Sequence, residues 1–138
     1  MERVERSLDD IRSSLEIAKR IVEMSYGDFL RDFRNRYTLR LALVEIVEAS
    51  VNLGLYLLRE LLGVVRVEGY TKIFDDLVEH GVLSPDVGEA MRRLTRLRNL
   101  IIHRYWEVDD SRIYREARES GLGMIERFME EVEKYASN

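Results

Sequence analysis

The chain has 138 residues, 46% of them apolar and 35% charged, with one proline, two histidines and a formal net charge of −4 at pH 7. This is enough chain for one core and too little for two, so a single domain over 1–138 is expected, and the apolar content excludes a disordered tail. Cysteine is absent, which excludes thiol catalysis, disulfide staples and cysteine-based zinc sites; the negative net charge argues against coating nucleic acid by charge alone, though not against a local basic patch.

The first ten residues, MERVERSLDD, are charged and lack the apolar core of an export signal, so a cytoplasmic location is expected. From Val4 the apolar positions fall at Val4, Leu8, Ile11, Leu15, Ala18 and Val22, alternating steps of four and three that draw one stripe along an amphipathic helix. The pattern breaks around Ser25-Tyr26-Gly27-Asp28, and FLRDF reads as a short separate turn of helix. Residues 37 to 62 are the most apolar part of the chain and predict the central helix. Glu45, Glu48 and Asn52 interrupt it, which argues against a membrane span, since a charge near the bilayer centre costs roughly 3 kcal/mol on insertion scales. Glu48 and Asn52 are four apart and share a face, a polar strip that either reaches solvent or lines an interface.

After the loop GVVRVEG comes a shorter helix with Tyr70, Ile73, Phe74, Leu77 and Val78 on one side, ending at His80-Gly81. Histidine in a last turn followed by glycine is a C-terminal cap: the imidazole meets the negative helix end and the glycine turns left-handed. Ser84-Pro85-Asp86 opens the next helix, with serine as N-cap, proline at the first helical position and aspartate against the positive end. Beyond Trp106 the run EVDDS predicts a break, with Asp110 or Ser111 capping a last helix whose stripe is Tyr114, Ala117, Gly121, Met124, Phe128 and Tyr135. Gly121-Leu122-Gly123 lacks the preceding strand of a phosphate loop and reads as close helix packing or a kink. The fold class is therefore all-α, an up-and-down bundle of about five helices.

The fourth long helix carries the chemistry. Between Glu89 and Glu107 the charged residues are Arg92, Arg93, Arg96, Arg98 and Arg104, with no acid among them. Guanidinium forks match phosphate oxygens with paired hydrogen bonds, so a phosphate-bearing partner is one explanation; a solvated face paired with acids elsewhere is the other. Asn99 and His103 are four apart, so the amide could orient the imidazole. Arg98 and His103 are offset by about 140° and 7 to 8 Å, so they fail to converge unless the helix is distorted or ends there. A two-fold dimer would supply a second copy of the helix and let two Arg98/Asn99/His103 sets line one groove, with Leu94, Leu97, Ile101 and Ile102 free to pack the core. The plain alternatives are an Arg98–Glu48 ion pair across the bundle, a hydrogen-bonded His103 at a helix end, and Tyr105 and Trp106 as packing residues. Glu107, Asp109 and Asp110 cluster in sequence without a second nearby histidine, which argues against a metal site.

Arg98-Asn99, three residues, His103, one residue and Tyr105 form the pattern R-N-x3-H-x-Y, which resembles the signature of HEPN-domain ribonucleases, in particular the HepT-like toxin branch. The long apolar helix, the segment GYTKIFDDLVEHGVLSPDVGEAM and the terminal helix follow the same order, so the resemblance covers essentially the whole chain. It implies a helical bundle that forms a homodimer and cleaves RNA without metal or other cofactor at a composite cleft, with Arg98, His103 and Asn99 as the catalytic set. It also implies a type VII-like toxin whose partner, a cognate minimal nucleotidyltransferase antitoxin, silences it by adding AMP to Tyr105. Arg92, Arg93, Arg96 and Arg104 are the expected phosphate contacts. RNA supplies its own nucleophile, the 2′-hydroxyl, and an imidazole, with an ordinary pKa near 6.5, can carry its proton at neutral pH. The rival reading is a non-catalytic HEPN-like subunit that binds nucleotide or RNA while a nucleotidyltransferase does the chemistry.

Overall fold

A computed structural model describes residues 2–137, and among these there is helix and loop but no strand. Helix α1 (Glu2–Glu23) buries the predicted stripe of Val4, Leu8, Ile11, Leu15, Ala18 and Val22, with Ser14 and Ile21 joining it. Ser25 caps α2 (Tyr26–Arg31) by accepting from the Asp28 N–H at 3.1 Å, and Phe29 pins this short helix into the core. Asp32 caps α3 (Phe33–Tyr56), accepting from the Arg34 N–H at 2.9 Å. The central helix thus starts four residues earlier than the apolar run suggests, because a cap and not hydrophobicity sets its beginning. It ends in a π turn at Leu57–Leu61.

By length and composition alone, Phe33–Leu61 would suffice to cross a membrane, contrary to the reading of its charges, but 56% of its most apolar stretch is buried inside the bundle. Helix α1 runs antiparallel to it, as the pairs Ser14–Glu45 and Arg3–Tyr56 require. After the loop, α4 (Tyr70–Glu79) closes as expected: His80 Nδ1 donates to the Asp76 carbonyl at 2.9 Å and Gly81 takes φ +80. Ser84 then occupies the N-cap position of α5 (Pro85–His103), yet its hydroxyl does not cap. It donates instead to Glu131 at 2.8 Å, tying the start of α5 to the last helix.

The terminal helix is two pieces, α6 (Asp110–Glu116) and α7 (Leu122–Ala136), joined by a π turn at Ala117–Gly121. Its cap is Asp109, one residue before the predicted pair; Asp110 is drawn away by Arg40. The π turn inserts an extra residue, so the buried stripe passes from Tyr114 and Ala117 to Leu122, Ile125, Phe128, Met129 and Val132, leaving Met124 and Tyr135 only partly covered. A side chain at Gly121 would stand 3.2 Å from the Glu116 carbonyl, so this glycine belongs to the bulge itself. Helix α7 returns antiparallel to α1 through Arg12–Glu133 and Lys19–Glu126. The buried side chains form one contiguous core, centred on residues such as Ile11, Ile46, Phe74 and Phe128, the last two meeting edge to face at 6.0 Å.

Candidate active site at the end of α5

Helix α5 changes character halfway along. Its first half buries Val87, Gly88, Met91 and Thr95 against α4 and the core; beyond Thr95 none of its side chains is fully buried. Leu94 and Leu97 are half-buried at the core's edge, and Ile102 is 46% exposed, so the expectation that Ile101 and Ile102 pack into the interior fails. The helix leaves the bundle as it approaches the motif, and apolar side chains leave with it.

Arg98 is the motif residue held most firmly. Its Nε donates to Glu48 Oε1 on α3 at 2.6 Å, its Nη1 donates to Asn99 Oδ1 at 2.9 Å, and its guanidinium carbon lies 5.1 Å from the centre of the Tyr70 ring. The cross-bundle ion pair is therefore present, and Glu48 belongs to the site and not to a solvated strip. Asn52 is exposed. Asn99 uses its carbonyl on Arg98, and no hydrogen bond among the described residues joins it to His103.

His103 is the last residue of α5 and is exposed, with no hydrogen bond to its ring among the described residues. The helix stops there because Arg104 adopts φ −142 and ψ 47, while its N–H still reaches the Leu100 carbonyl at 2.8 Å. A 3-10 turn at Tyr105–Glu107 follows, presenting Tyr105 at 61% and Trp106 at 68% exposure as an edge-to-face pair 5.2 Å apart. These two aromatics are thus not packing residues of this fold. Arg40 of α3 fixes the far side of the turn, donating through Nε and Nη2 to Asp110 at 2.8 and 2.7 Å. That bond, more than any other cause, raises the Arg40 pKa above the ordinary guanidinium range.

The remaining arginines are mostly engaged. Arg92 binds Asp75 and Glu89, Arg96 reaches Glu89 at 3.4 Å, and Arg104 pairs with Glu107. The Arg92 side chain holds the Glu89 carboxyl below the usual carboxylate range. Arg93 makes no ion pair among the described residues; it stands on the rim of a groove of about 490 Å³ between α5 and the α6–α7 rod, floored by Leu94, Leu97, Ile113 and Met124. No group of three or more histidine, aspartate or glutamate side chains among the described residues is arranged to hold a metal. A further open face, outside the R-N-x3-H-x-Y motif, is the side of α3 where Phe33, Tyr37 and Leu41 are 57%, 52% and 59% exposed. Their spacing of four, continued by steps of three and four through Val44 to Glu48, was the available signal.

A family model described as ribonuclease HepT-like matches residues 11–132. A tRNA nuclease HepT from Aphanizomenon flos-aquae is 23% identical over 113 residues, spanning 80% of this chain and 75% of that one. Among solved structures, the tri-AMPylated HEPN toxin of Shewanella oneidensis in complex with its MNT antitoxin superposes with a TM-score of 0.85 at 18% identity, covering 97% of this chain and 98% of that one. YutE, a cytosolic protein of unknown function from Bacillus subtilis, gives 0.81 at 18% identity over 99% and 90% of the two chains. With its all-helical fold, and with the family match running from α1 through α7 across the R-N-x3-H-x-Y motif, this chain belongs to the ribonuclease HepT-like family.

Proposed function

We propose that the chain is a metal-independent endoribonuclease, the toxin of a toxin–antitoxin pair, acting in the cytoplasm on RNA at the cleft of a homodimer. The observation that carries this is the division of labour at the end of α5: Arg98 is pinned within the bundle while His103 and Tyr105, just beyond it, stand open to solvent. In this reading His103 moves the proton, Arg98 stabilises charge and Asn99 orients the guanidinium. The 2′-oxygen loses its proton and attacks the adjacent phosphorus; the bond from phosphorus to the 5′-oxygen breaks, and that oxygen is protonated as it leaves. Charge building on the non-bridging oxygens is what a fixed guanidinium stabilises. Transfer RNA is the substrate class to try first, from the relative's activity.

The homodimer supplies the second Arg98/His103 set, and the open face of α3, running toward Glu48, offers the apolar surface a second copy needs. Arg93 is the arginine of α5 readiest for phosphate; Arg92, Arg96 and Arg104 would have to exchange an acid for one. Silencing follows from the exposure of Tyr105. Its hydroxyl, attacking the α-phosphorus of ATP in the active site of a nucleotidyltransferase antitoxin, gains AMP and releases pyrophosphate. The added phosphate then stands where RNA phosphates must approach.

One observation favours a second reading. Since Arg98 and three of the other four arginines are already paired with acids, the same face suits a non-catalytic subunit of a nucleotidyltransferase complex. The test is cleavage of labelled tRNA in EDTA by the purified protein, freed of partner, beside His103→Ala. Cleavage by the parent alone supports the nuclease. Absence of cleavage by both, with Tyr105 unmodified by mass spectrometry, supports the binding subunit.

A further inference from the structure

The Glu48 carboxylate stands beside a guanidinium that is meant, on the reading above, to meet a phosphate. A groove built only to hold RNA would be better served by a neutral group there, because a carboxylate repels the substrate. Nor does the pair account for itself through stability: the Glu48 side chain is 39% exposed, and partly exposed ion pairs stabilise a fold weakly. What the carboxylate does is restrict which edge of Arg98 is free.

A guanidinium has five N–H donors in a planar fork. Glu48 takes the one on Nε at 2.6 Å and Asn99 takes one on Nη1 at 2.9 Å, while Tyr70 covers one face at 5.1 Å. Three donors are left over, two on Nη2 and one on Nη1, so Nη2 is wholly free and the end of the fork keeps both its donors when Asn99 takes the Nη1 hydrogen on the Cδ side. That end can take two oxygens of one phosphate in a bidentate grip.

We infer that Glu48 is a positioning residue for RNA cleavage, fixing Arg98 so that its Nη1–Nη2 end addresses the phosphorus centre as charge develops there. This rests on the ribonuclease reading. Glu48 touches no substrate and moves no proton; it acts through Arg98 alone. Its influence therefore falls on the transition state, where orientation matters, and not on ground-state binding, which its charge opposes.

The experiment measures kcat and KM on labelled tRNA for the parent, His103→Ala, Glu48→Gln, Glu48→Ala, Arg98→Lys and the Glu48→Gln/Arg98→Lys double variant, with circular dichroism as the check on folding. Glu48→Ala is expected to lower kcat about 100-fold, the scale of losing one aligned donor, with KM unchanged or lower. Glu48→Gln keeps an oxygen for Nε and should fall between Ala and parent. In the Arg98→Lys background, which has no Nε–H to hold, Glu48→Gln should cost little more. Should Glu48→Ala fail to fold, Glu48→Gln and the double variant carry the test. Parental kcat in the Glu48 variants, a raised KM with kcat intact, or additive losses beside Arg98→Lys overturns the inference while His103→Ala stays inactive. If the parent does not cleave, or His103→Ala cleaves as well as it does, the ribonuclease reading falls and takes this inference with it.

Discussion

Gly88→Ala should destabilise the bundle although alanine is the better helix former. Gly88 lies where α5 crosses α4, and a Cβ there would stand 2.3 Å from Val78 Cγ2 and 3.7 Å from the Phe74 carbonyl. Ordinary carbon contacts are roughly 3.5–4.0 Å, so more than an ångström of relief is needed. Valine in a helix strongly prefers one rotamer, so Val78 must leave it or α4 must move outward. Overpacking of this kind costs about 1–3 kcal/mol, and the gain in helix propensity offsets about 1. An overlap of more than an ångström puts the cost in the upper half of that range, about 2–3 kcal/mol, so the net loss is about 1–2 kcal/mol, or roughly 3–8 °C in Tm for a chain of this size. Gly123 provides the opposite case: it is exposed in α7 with nothing within 4 Å of the added methyl, so Gly123→Ala should raise Tm by a few degrees. Thermal melts of both variants, with Val78→Ala alone and combined with Gly88→Ala, separate the effects. Trimming Val78 removes the clashing methyl, so the double variant should be more stable than the sum of the two single losses. A Gly88→Ala protein that melts as high as Gly123→Ala would refute the close crossing of α4 and α5.

Asp110→Asn should cost about 2 kcal/mol in urea unfolding, since it strips the charge that the partly buried Arg40 holds through two hydrogen bonds; Asp109→Asn should be nearly neutral, because asparagine caps a helix as well as aspartate does. Asp86, hydrogen-bonded by Arg127 and lowered to about 2, lies below its unfolded value near 3.9. Its stabilisation is thus complete above about pH 4 and is lost as the pH falls toward 2, so the Tm gap between parent and Asp86→Asn should be constant from pH 5 to about 8 and close on acidification; a widening gap would contradict the assignment. Leu41→Glu, at a position 59% exposed, should keep the helical fold by circular dichroism yet convert a dimer to a monomer in sedimentation, and a dimer that survives it would move the interface off α3.

Much of the fold was legible because periodicity and caps are local. The α1 stripe lies where its alternating spacing puts it, and His80-Gly81 ends α4 as a C-cap of that composition should. The π turn before Leu122 was legible only in part: one inserted residue changes which face is inward, and nothing in Ala117–Gly121 announces it except a glycine read as close helix packing or a kink. Asp109 displaced Asp110 as a cap for a reason outside the segment, since Arg40, 70 positions away, claims Asp110. The motif residues themselves could be found from R-N-x3-H-x-Y, and the Arg98–Glu48 pair could be weighed, but the Tyr70 stack required knowing that α4 folds back beside α5.

The motif's position on α5 explains how a helix can carry a site whose residues do not share a face. Arg98 and His103 point apart on a regular helix, and the chain does not distort α5 to unite them. It places Arg98 at the last level where α3 and α4 still provide Glu48 and Tyr70, and places His103 at the final residue, before Arg104 breaks the geometry. The guanidinium thereby gains a fixed orientation from the bundle and the imidazole gains freedom from it. On the proposed mechanism a charge stabiliser has to be held rigidly and a proton carrier has to reach the substrate, and a helix that emerges from its core between the two residues suits both.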